Sequence, residues 1–323
     1  MGTTTSLSVN RGAMTLVTEL IERADELRIE IATTTAGATV IDMGQRVTGS
    51  WEAGRLYAEI TMGGLGSVSF GDFELGGQHL RSVLVSTEHP IEACWVSQKH
   101  ADRRPGDPHD VILAGPAKAL LDPVDPSVAQ AGYRETHRRA VAPLQLERSV
   151  TDDDIAWLAR ACQLPPRDIF VLVAPTPSLV CAVQVAARSV DNAMHRLHSA
   201  GLELGAVESL QGSAPVPPRV EDELSALGRI NDSLMYGTRV HAQVRYGGDL
   251  LAVATEVASQ PSESRGRPFL DILAAADNDF HNVSLDVFCI AEMSITDVAS
   301  GSSATAGGLD HDLLWKSFYG EES

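Results

Sequence analysis

The segment from Ile169 to His198 constrains the fold of this chain most. It opens with a continuous apolar run, Ile169–Ala174, which is typical of a strand buried on both faces. The longest helical pattern, Ser178–His198, follows, with apolar residues at steps of three and four: Val183, Ala186, Val190, Ala193 and Leu197. Because strand and helix patterns alternate along the rest of the chain, the sequence predicts an α/β fold with layered sheets and helices.

Chain length and local patterns predict how the chain divides. At about 100–200 residues per domain, 323 residues make two domains or one large one. We predict an N-terminal α/β region over residues 10–148, a C-terminal α/β region over residues 149–310, and tails at 1–9 and 311–323. Within the second region, Gly212–Pro218 is typical of a proline-rich connector and Leu250–Val253 of a strand.

The formal net charge of −18 narrows the classes of partner. A nucleic-acid surface needs clustered Lys and Arg, and an anionic membrane attracts basic segments, so we expect neither partner. We see no apolar run of about 18 residues that could span a bilayer and no secretory leader pattern, and we expect a cytoplasmic protein. The four cysteines are scattered, with no histidine at zinc-ligand spacing, so we expect no metal site.

A second line of residues on the long helical pattern consists of polar and ionisable side chains that could take part in catalysis. Gln184, Arg188, Asp191 and His195 fall within about 60° of one another on a helix, which places a guanidinium beside a carboxylate. Two interpretations stay open on the pattern alone. One is a solvated face with a surface ion pair worth at most about 1 kcal/mol, and the other is the border of a cleft. Further along, Asn231-Asp232 could cap a helix or line a site.

A series of short motifs runs in order from about Ala13 to Gly301. They are Glu52-Ala53-Gly54, Met62-Gly63-Gly64-Leu65, His89-Pro90, Ser97-Gln98, Gly115-Pro116-Ala117, Val173-Ala174-Pro175-Thr176, Ser178, Gln184-Val185, Ala187-Arg188, Ala214-Pro215, Gly228-Arg229, Asn231-Asp232, Tyr236-Gly237, Arg239-Val240 and Ala291-Glu292. Each motif is weak alone, but so many in one order indicate homology. The series resembles the methenyl-tetrahydromethanopterin cyclohydrolases of methanogenic archaea and methylotrophic bacteria.

The resemblance implies a fold and an assembly. Members of that family are two-domain α/β subunits with a pterin pocket between the domains. They form homotrimers and need no metal or redox cofactor. Their reaction interconverts methenyl- and formyl-tetrahydromethanopterin by adding or removing water, so the resemblance implies a pterin substrate and hydrolysis of a cyclic amidine C–N bond for this chain.

The resemblance also implies site residues. In family members an Arg is followed three residues later by a catalytic Glu. Arg188 matches the Arg, and Asp191 stands at the Glu position, so we expect this pair to be catalytic. We expect the substrate to be bound by the following residues at or beside matching motifs: Gln98, Lys99, His100, Ser178, Gln184, Asn231 and Asp232.

Three departures from the family pattern leave three hypotheses open. Asp191 is one methylene shorter than Glu, so its carboxylate reaches about 1–1.5 Å less far, a shift that can cost on the order of 100-fold in rate. Lys99-His100-Ala101-Asp102 replaces a small residue and a Gly-Trp pair, and Thr238 replaces a glycine. The chain is then a cyclohydrolase with local compensation, a paralogue that uses His100 on a different cyclic amidine or pterin-like substrate, or a non-catalytic pterin-binding protein.

Overall fold

Two compact units make up the chain in the computed structural model, which describes residues 7–102, 107, 108 and 111–320, and of His281 the backbone alone. The first unit comprises the described residues of Met1–Ser67 and Ile91–Cys181. The second comprises those of Val68–Pro90 and Ala182–Ser323. Each unit has one β-sheet with helices, so the α/β class that the sequence predicts is confirmed.

The sheet of the first unit has five strands in the order β1-β2-β7-β6-β5. They are β1 (Glu30–Thr33), β2 (Thr39–Asp42), β5 (Ile112–Leu113), β6 (Ala140–Gln145) and β7 (Ile169–Val173). Strands β2, β7 and β6 are parallel, and β1 and β5 pair antiparallel at the two edges. The α-helices of this unit are α1 (Val9–Glu22), α2 (Ala24–Leu27), α3 (Trp51–Thr61), α4 (Pro126–Gln130) and α5 (Asp152–Ala161), and a π-helix covers Ile91–Gln98.

Strand β7 lies in the middle of this sheet, as its apolar sequence predicts. Parallel neighbours on both sides and helices over the faces exclude water, so Val171 and Val173 pack with Leu144 in one core. Helix α5 adds Ile155 to that core. Its start is held by a capping box, in which the Thr151 side chain accepts from the backbone N–H of Asp154 and the Asp154 carboxylate accepts from that of Thr151.

The sheet of the second unit has six strands in the order β11-β10-β9-β8-β4-β3. They are β3 (Ser67–Leu75), β4 (Gln78–Thr87), β8 (Val207–Pro215), β9 (Arg239–Val244), β10 (Glu292–Asp297) and β11 (Ser303–Gly307). Strands β9 and β10 are parallel, whereas β10 with β11, β8 with β9 and β4 with β8 are antiparallel. The helices are α6 (Leu179–Ala186, which begins in the first unit), α7 (Ser189–Ser199), α8 (Glu223–Gly237), α9 (Leu250–Val257), α10 (Phe269–Ala275) and α11 (His311–Tyr319).

The compact units follow different bounds from the division predicted at residues 148 and 149, which falls inside the first unit. The reason is long-range pairing. The hairpin of β3 and β4 joins the second sheet through β8, where Ser82 lies opposite Pro215. No local pattern encodes a pairing between segments so far apart in the chain.

Two element predictions are wrong. The expected connector Gly212–Pro218 begins inside β8, which continues to Pro215, and the expected strand Leu250–Val253 is the first half of α9. Proline and glycine in the first segment and β-branched or leucine residues in the second favoured the wrong assignments. The decisive signal for α9 is Asp249, whose side chain accepts from the backbone N–H groups of Leu251 and Ala252 as an N-cap.

The predicted tails are also shorter than expected. Residues 1–6 and 321–323 lie outside the described residues, but Val9 already belongs to α1, and residues 311–319 form α11. The apolar side of α11 is buried, because Leu313, Leu314 and Phe318 pack into the same core as Phe269 of α10.

The packing of α11 leads to a stability prediction. Phe318 is 1% exposed, so we expect Phe318→Ala to lower the free energy of unfolding by about 3–5 kcal/mol through lost burial and a cavity. Urea unfolding followed by circular dichroism measures the change. The matched control is Lys316→Ala on the exposed side of the same helix, which should change the unfolding free energy by less than about 0.5 kcal/mol. Equal effects of the two substitutions would contradict a docked α11.

Candidate functional site

The predicted helix Ser178–His198 consists of two helices, α6 and α7, separated by a turn that ends at Arg188. Arg188 occupies the N-cap position of α7, with φ −76° and ψ −1°. Its backbone joins the two helices, because its N–H donates to the Val185 carbonyl (2.9 Å) and its carbonyl accepts from the Asn192 N–H (2.9 Å). The single helix was therefore a wrong prediction. Asp191 lies in the first turn of a new helix.

Arg188 and Asp191 form a buried ion pair. The guanidinium Nη2 of Arg188 donates to Oδ2 of Asp191, and the two side chains are 10% and 7% exposed. A solvated surface pair would leave both groups in water, so that interpretation does not hold. The three-residue spacing brings the two groups together across the first turn of α7, as the sequence pattern predicts.

The first turn of α7 approaches strand β8 closely at Gly212. A Cβ atom at Gly212 would lie 2.4 Å from Oγ and 3.2 Å from Cβ of Ser189, and 3.3 Å from Val190. At 2.4 Å the Ser189 hydroxyl would have to rotate away, and the two longer contacts are tighter than most Cβ contacts, so the absence of a side chain at Gly212 helps α7 lie close to the strand. Ser189 directly follows Arg188, so this contact lies next to the ion pair.

The other end of α7 is held by Arg196. Its Nη2 donates to the backbone carbonyls of Glu256 (2.7 Å) and Ser259 (2.9 Å), and its Nη1 donates to Oδ1 of Asp286 (3.1 Å). Arg196 is buried, and its guanidinium provides hydrogen-bond donors for backbone carbonyls at and just after the end of α9. Both ends of α7 are thus fixed by named contacts, which gives the ion pair a rigid support.

Polar residues continue along α7 beyond the ion pair. At about 100° per residue, Asn192 and His195 fall on the same side of the helix as Arg188 and Asp191, within an arc of about 100°. Asn192 is half-buried, yet its Nδ2 atom is buried and has no hydrogen-bond partner among the residues that the structure describes. His195 is half-buried. This side of α7 is therefore polar and largely shielded from water.

Three of the predicted substrate-binding residues lie together in the first unit, at the end of the π-helix. Gln98 is fully buried, and its Nε2 donates to Oγ1 of Thr61 at 3.4 Å. The Lys99 ammonium lies 5.4 Å from the centre of the Trp95 ring, and His100 is half-buried beside it. A hydrogen bond of the π-helical type, from the Lys99 N–H to the Cys94 carbonyl (2.8 Å), fixes the backbone at this end of the helix.

Ser178 and Gln184 lie on either side of the point in the sequence, between Cys181 and Ala182, where the first unit ends and the second resumes. Ser178 is buried, and its Oγ accepts from the backbone N–H of Cys181 at 3.0 Å, which caps the start of α6. Gln184 is buried on α6 in the second unit. Substrate contacts at these two residues stay predictions, and the structure shows a capping role for Ser178.

Asn231 and Asp232 lie on α8, and both make hydrogen bonds within the second unit. The Asn231 amide donates to the Leu227 carbonyl (2.8 Å) one turn earlier. Asp232 accepts from the backbone N–H of Phe269 through Oδ1 (2.7 Å) and from the hydroxyl of Ser317 through Oδ2 (2.7 Å). Asp232 therefore joins α8 to the start of α10 and to the last turn of α11. Burial raises its pKa to about 6, although these two hydrogen bonds lower it.

Two further properties bear on the class of site. In residues 7–102, 107–108 and 111–320, no group of three or more His, Cys, Asp or Glu side chains is placed to hold a metal ion. Within the same residues, no helix is long and apolar enough to cross a membrane. The Arg188–Asp191 ion pair on α7 is therefore the strongest candidate for a catalytic group in the described part of the chain.

Comparison with known proteins shows that nearly the whole chain matches one protein family. The family model described as Cyclohydrolase (MCH) matches residues 8–318. The chain belongs to the MCH cyclohydrolase family. The methenyltetrahydromethanopterin cyclohydrolase of Methanothermobacter marburgensis is 34% identical over 97% of this chain and 99% of its own length. The proteins of the same name from Methanocaldococcus jannaschii and Methylobacillus flagellatus are 31% and 32% identical over 96% of this chain, and over 98% and 95% of their own lengths.

In this member of the cyclohydrolase family, Thr238 has a visible structural role. Its hydroxyl donates to the Leu234 carbonyl (2.9 Å) and accepts from the Ala291 N–H (3.0 Å), so it links the end of α8 to the segment before β10. The departure at Thr238 is thus accommodated by hydrogen bonds inside the second unit.

No sequence pattern predicted the contacts of three residues around the ion pair: Gly212, Ser189 and Asn192. Gly212 was assigned to a connector, which hid its contact with α7. Asn192 could have been found from the sequence, because it lies four residues after Arg188 and so shares its side of the helix. The buried state of its amide, however, is visible only in the structure.

The raised pKa of Asp232 leads to a prediction about pH. A carboxyl whose pKa is about 6 in the folded chain and about 3.9 unfolded binds more protons when folded, so stability falls as pH rises through that window. Asp232→Asn keeps an acceptor for the Phe269 N–H without the charge. We expect it to raise the free energy of unfolding by about 1–3 kcal/mol at pH 8, and not at pH 4.

Urea unfolding at the two pH values measures this difference. Glu203→Gln, at an exposed carboxylate, should change little at either pH and serves as the control. A loss of stability in Asp232→Asn at pH 8 would show that the ionised carboxylate holds the three helices better than the amide does.

Proposed function

We propose that this chain catalyses the hydrolytic opening of methenyl-tetrahydromethanopterin to formyl-tetrahydromethanopterin, and the reverse reaction. The observation that carries the proposal is the buried Arg188–Asp191 pair, held at the start of α7, in a chain that belongs to the cyclohydrolase family over residues 8–318. The names of its relatives from archaea and a bacterium support the same substrate, and they favour it over a different cyclic amidine.

The substrate determines what the protein has to supply. Its bridging carbon belongs to a cyclic amidinium and is electrophilic, whereas water is a weak nucleophile at neutral pH. A carboxylate that removes a proton from water during the attack lowers the barrier, typically by about 10²–10⁴-fold in rate. We assign this role of general base to Asp191.

The hydrogen bonds of Asp191 suit that role. Oδ2 accepts from Arg188, while Oδ1 accepts from no residue in the described part of the chain. One oxygen is thus fixed by the guanidinium and the other can take the proton. Arg188 orients the carboxylate, balances its charge in a buried place and stabilises the oxygen that develops as the formyl group forms.

The assembly and the location belong to the proposal as well. We propose a homotrimer, on the resemblance to the family, and a cytoplasmic protein, which the four free and buried cysteines support because reduced thiols are typical of that compartment. The reaction adds water and transfers no electrons, so we propose that it needs no redox cofactor, and on the resemblance to the family we propose that it needs no metal. Arg188 and Asp191 provide the charge and the base.

The first experiment measures turnover. Purified protein should bleach the ultraviolet absorbance of methenyl-tetrahydromethanopterin well above the spontaneous rate, and Asp191→Asn should reduce kcat by about 10²–10⁴-fold with substrate binding largely kept in calorimetry. Asp72→Asn, at an exposed carboxylate on β3, is the control and should keep full activity. A folded wild-type protein that does not accelerate the reaction would refute the proposal, and full activity in Asp191→Asn would remove Asp191 from the mechanism.

The second experiment tests the length of the base. Asp191 is buried against Arg188, so an added methylene must be accommodated in a packed site. We therefore expect Asp191→Glu to lower kcat by roughly 10-fold, because a carboxylate displaced by about 1 Å is misaligned with its water. Steady-state kinetics under the conditions of the first assay measures kcat and KM. A rise in kcat would instead show that the shorter side chain is a simple handicap.

A further inference from the structure

Asn192 is the polar residue next to the proposed base, and the described part of the chain offers its Nδ2 atom no acceptor. Its Nδ2 atom is buried without a hydrogen-bond partner among the described residues. It follows Asp191 directly and lies four residues after Arg188, so it shares their side of α7. Its backbone N–H, which donates to the Arg188 carbonyl at 2.9 Å, fixes its place relative to the pair.

A buried amide donor without an acceptor is unfavourable in the free protein, because its hydrogen bonds to water are lost and not replaced. A hydroxyl or an apolar side chain would fit this position of a helix equally well. In folded proteins such a group is completed by an ordered water, an ion or a ligand, or it takes part in catalysis. The acceptor that Asn192 lacks is therefore expected on a molecule that binds beside Arg188 and Asp191.

We propose that the Asn192 amide donates a hydrogen bond to the oxygen that is transferred from water to the substrate. This inference rests on the proposed function and adds a second catalytic donor beside Arg188. The guanidinium of Arg188 is engaged by Oδ2 of Asp191, so a neutral donor on the same side of the helix complements it.

The oxygen changes its bonding in two steps. It first forms a bond to the amidinium carbon while Asp191 takes a proton from the water, which leaves a hydroxyl on that carbon. The hydroxyl then loses its proton to solvent, and the bond from the carbon to one ring nitrogen breaks as the oxygen forms its double bond to the carbon. The electron pair of the broken bond stays on the nitrogen, which takes up the proton from Asp191. A hydrogen-bond donor stabilises the partial negative charge that the oxygen develops as it loses each of its two protons.

Three variants of Asn192 test this assignment by steady-state kinetics with methenyl-tetrahydromethanopterin. Asn192→Ala and Asn192→Leu both remove the donor, and Leu keeps the shape, so we expect kcat to fall about 10- to 100-fold in each while KM changes by less than about threefold. Asn192→Gln keeps an amide and should retain more activity than Leu does. Ser199→Ala, at an exposed position near the end of the same helix, is the control and should match the wild type.

Thermal unfolding of the free protein separates this role from a structural one. A residue that only supports the fold would lower the melting temperature when it is removed, together with activity. Because the Asn192 amide has no partner in the described chain, we expect Asn192→Leu to leave the melting temperature unchanged or to raise it while kcat falls. Unchanged kcat in both the Ala and Leu variants, or a fall in kcat that only follows a lower melting temperature, would overturn the inference.

The wild-type rate in the same assay keeps the two proposals apart. An inactive wild-type protein refutes the proposed reaction, and with it the role of Asn192. An active wild-type protein with fully active Asn192 variants refutes the role of Asn192 alone and leaves Arg188 and Asp191 in place.

Discussion

The close approach of α7 to β8 at Gly212 is the contact on which the site depends. Because no side chain stands at Gly212, Ser189 and Val190 can lie against the strand, and the residue before them, Arg188, is placed at the start of the helix. At the far end, Arg196 binds the carbonyls that end α9. A helix fixed at both ends can hold the proposed base, Asp191, within the fraction of an ångström that proton transfer requires.

The burial of the Arg188–Asp191 pair is hard to explain by stability. Removing two charges from water costs several kcal/mol per ion, and apolar residues of the same volume often serve a fold equally well or better. The turn that separates α6 from α7 also gives up helical hydrogen bonding that an uninterrupted helix would keep. A buried polar arrangement of this kind is expected at a functional site, where it is supported by well-packed surroundings. The packed face of α7, with Val190, Ala193 and Leu197 fully buried, provides that support.

Local chemistry explains which parts of this structure the sequence predicts. The apolar run of β7 is encoded within a few neighbouring residues, and its prediction as a buried strand is confirmed. The capping box at the start of α5 is equally local. The pairing of β4 with β8 is not encoded locally, because it depends on the packing of segments far apart in the chain. The turn at Arg188 was missed for a related reason. Alanine and arginine both favour helix, so the local sequence carries no signal for the break.

The same distinction applies to the candidate site. Residue spacing alone places Arg188 near Asp191, but it cannot distinguish a solvated pair from a buried one. Sequence resemblance, in turn, draws attention to the missing methylene at Asp191. The structure adds that the neighbouring Asn192 has a buried amide with no partner in the described chain. A shortened base and an unused donor on one turn of one helix are more informative together than either is alone. A buried unpaired amide costs stability, so its presence beside Asp191 is easier to explain if this turn of α7 has the catalytic role that we propose.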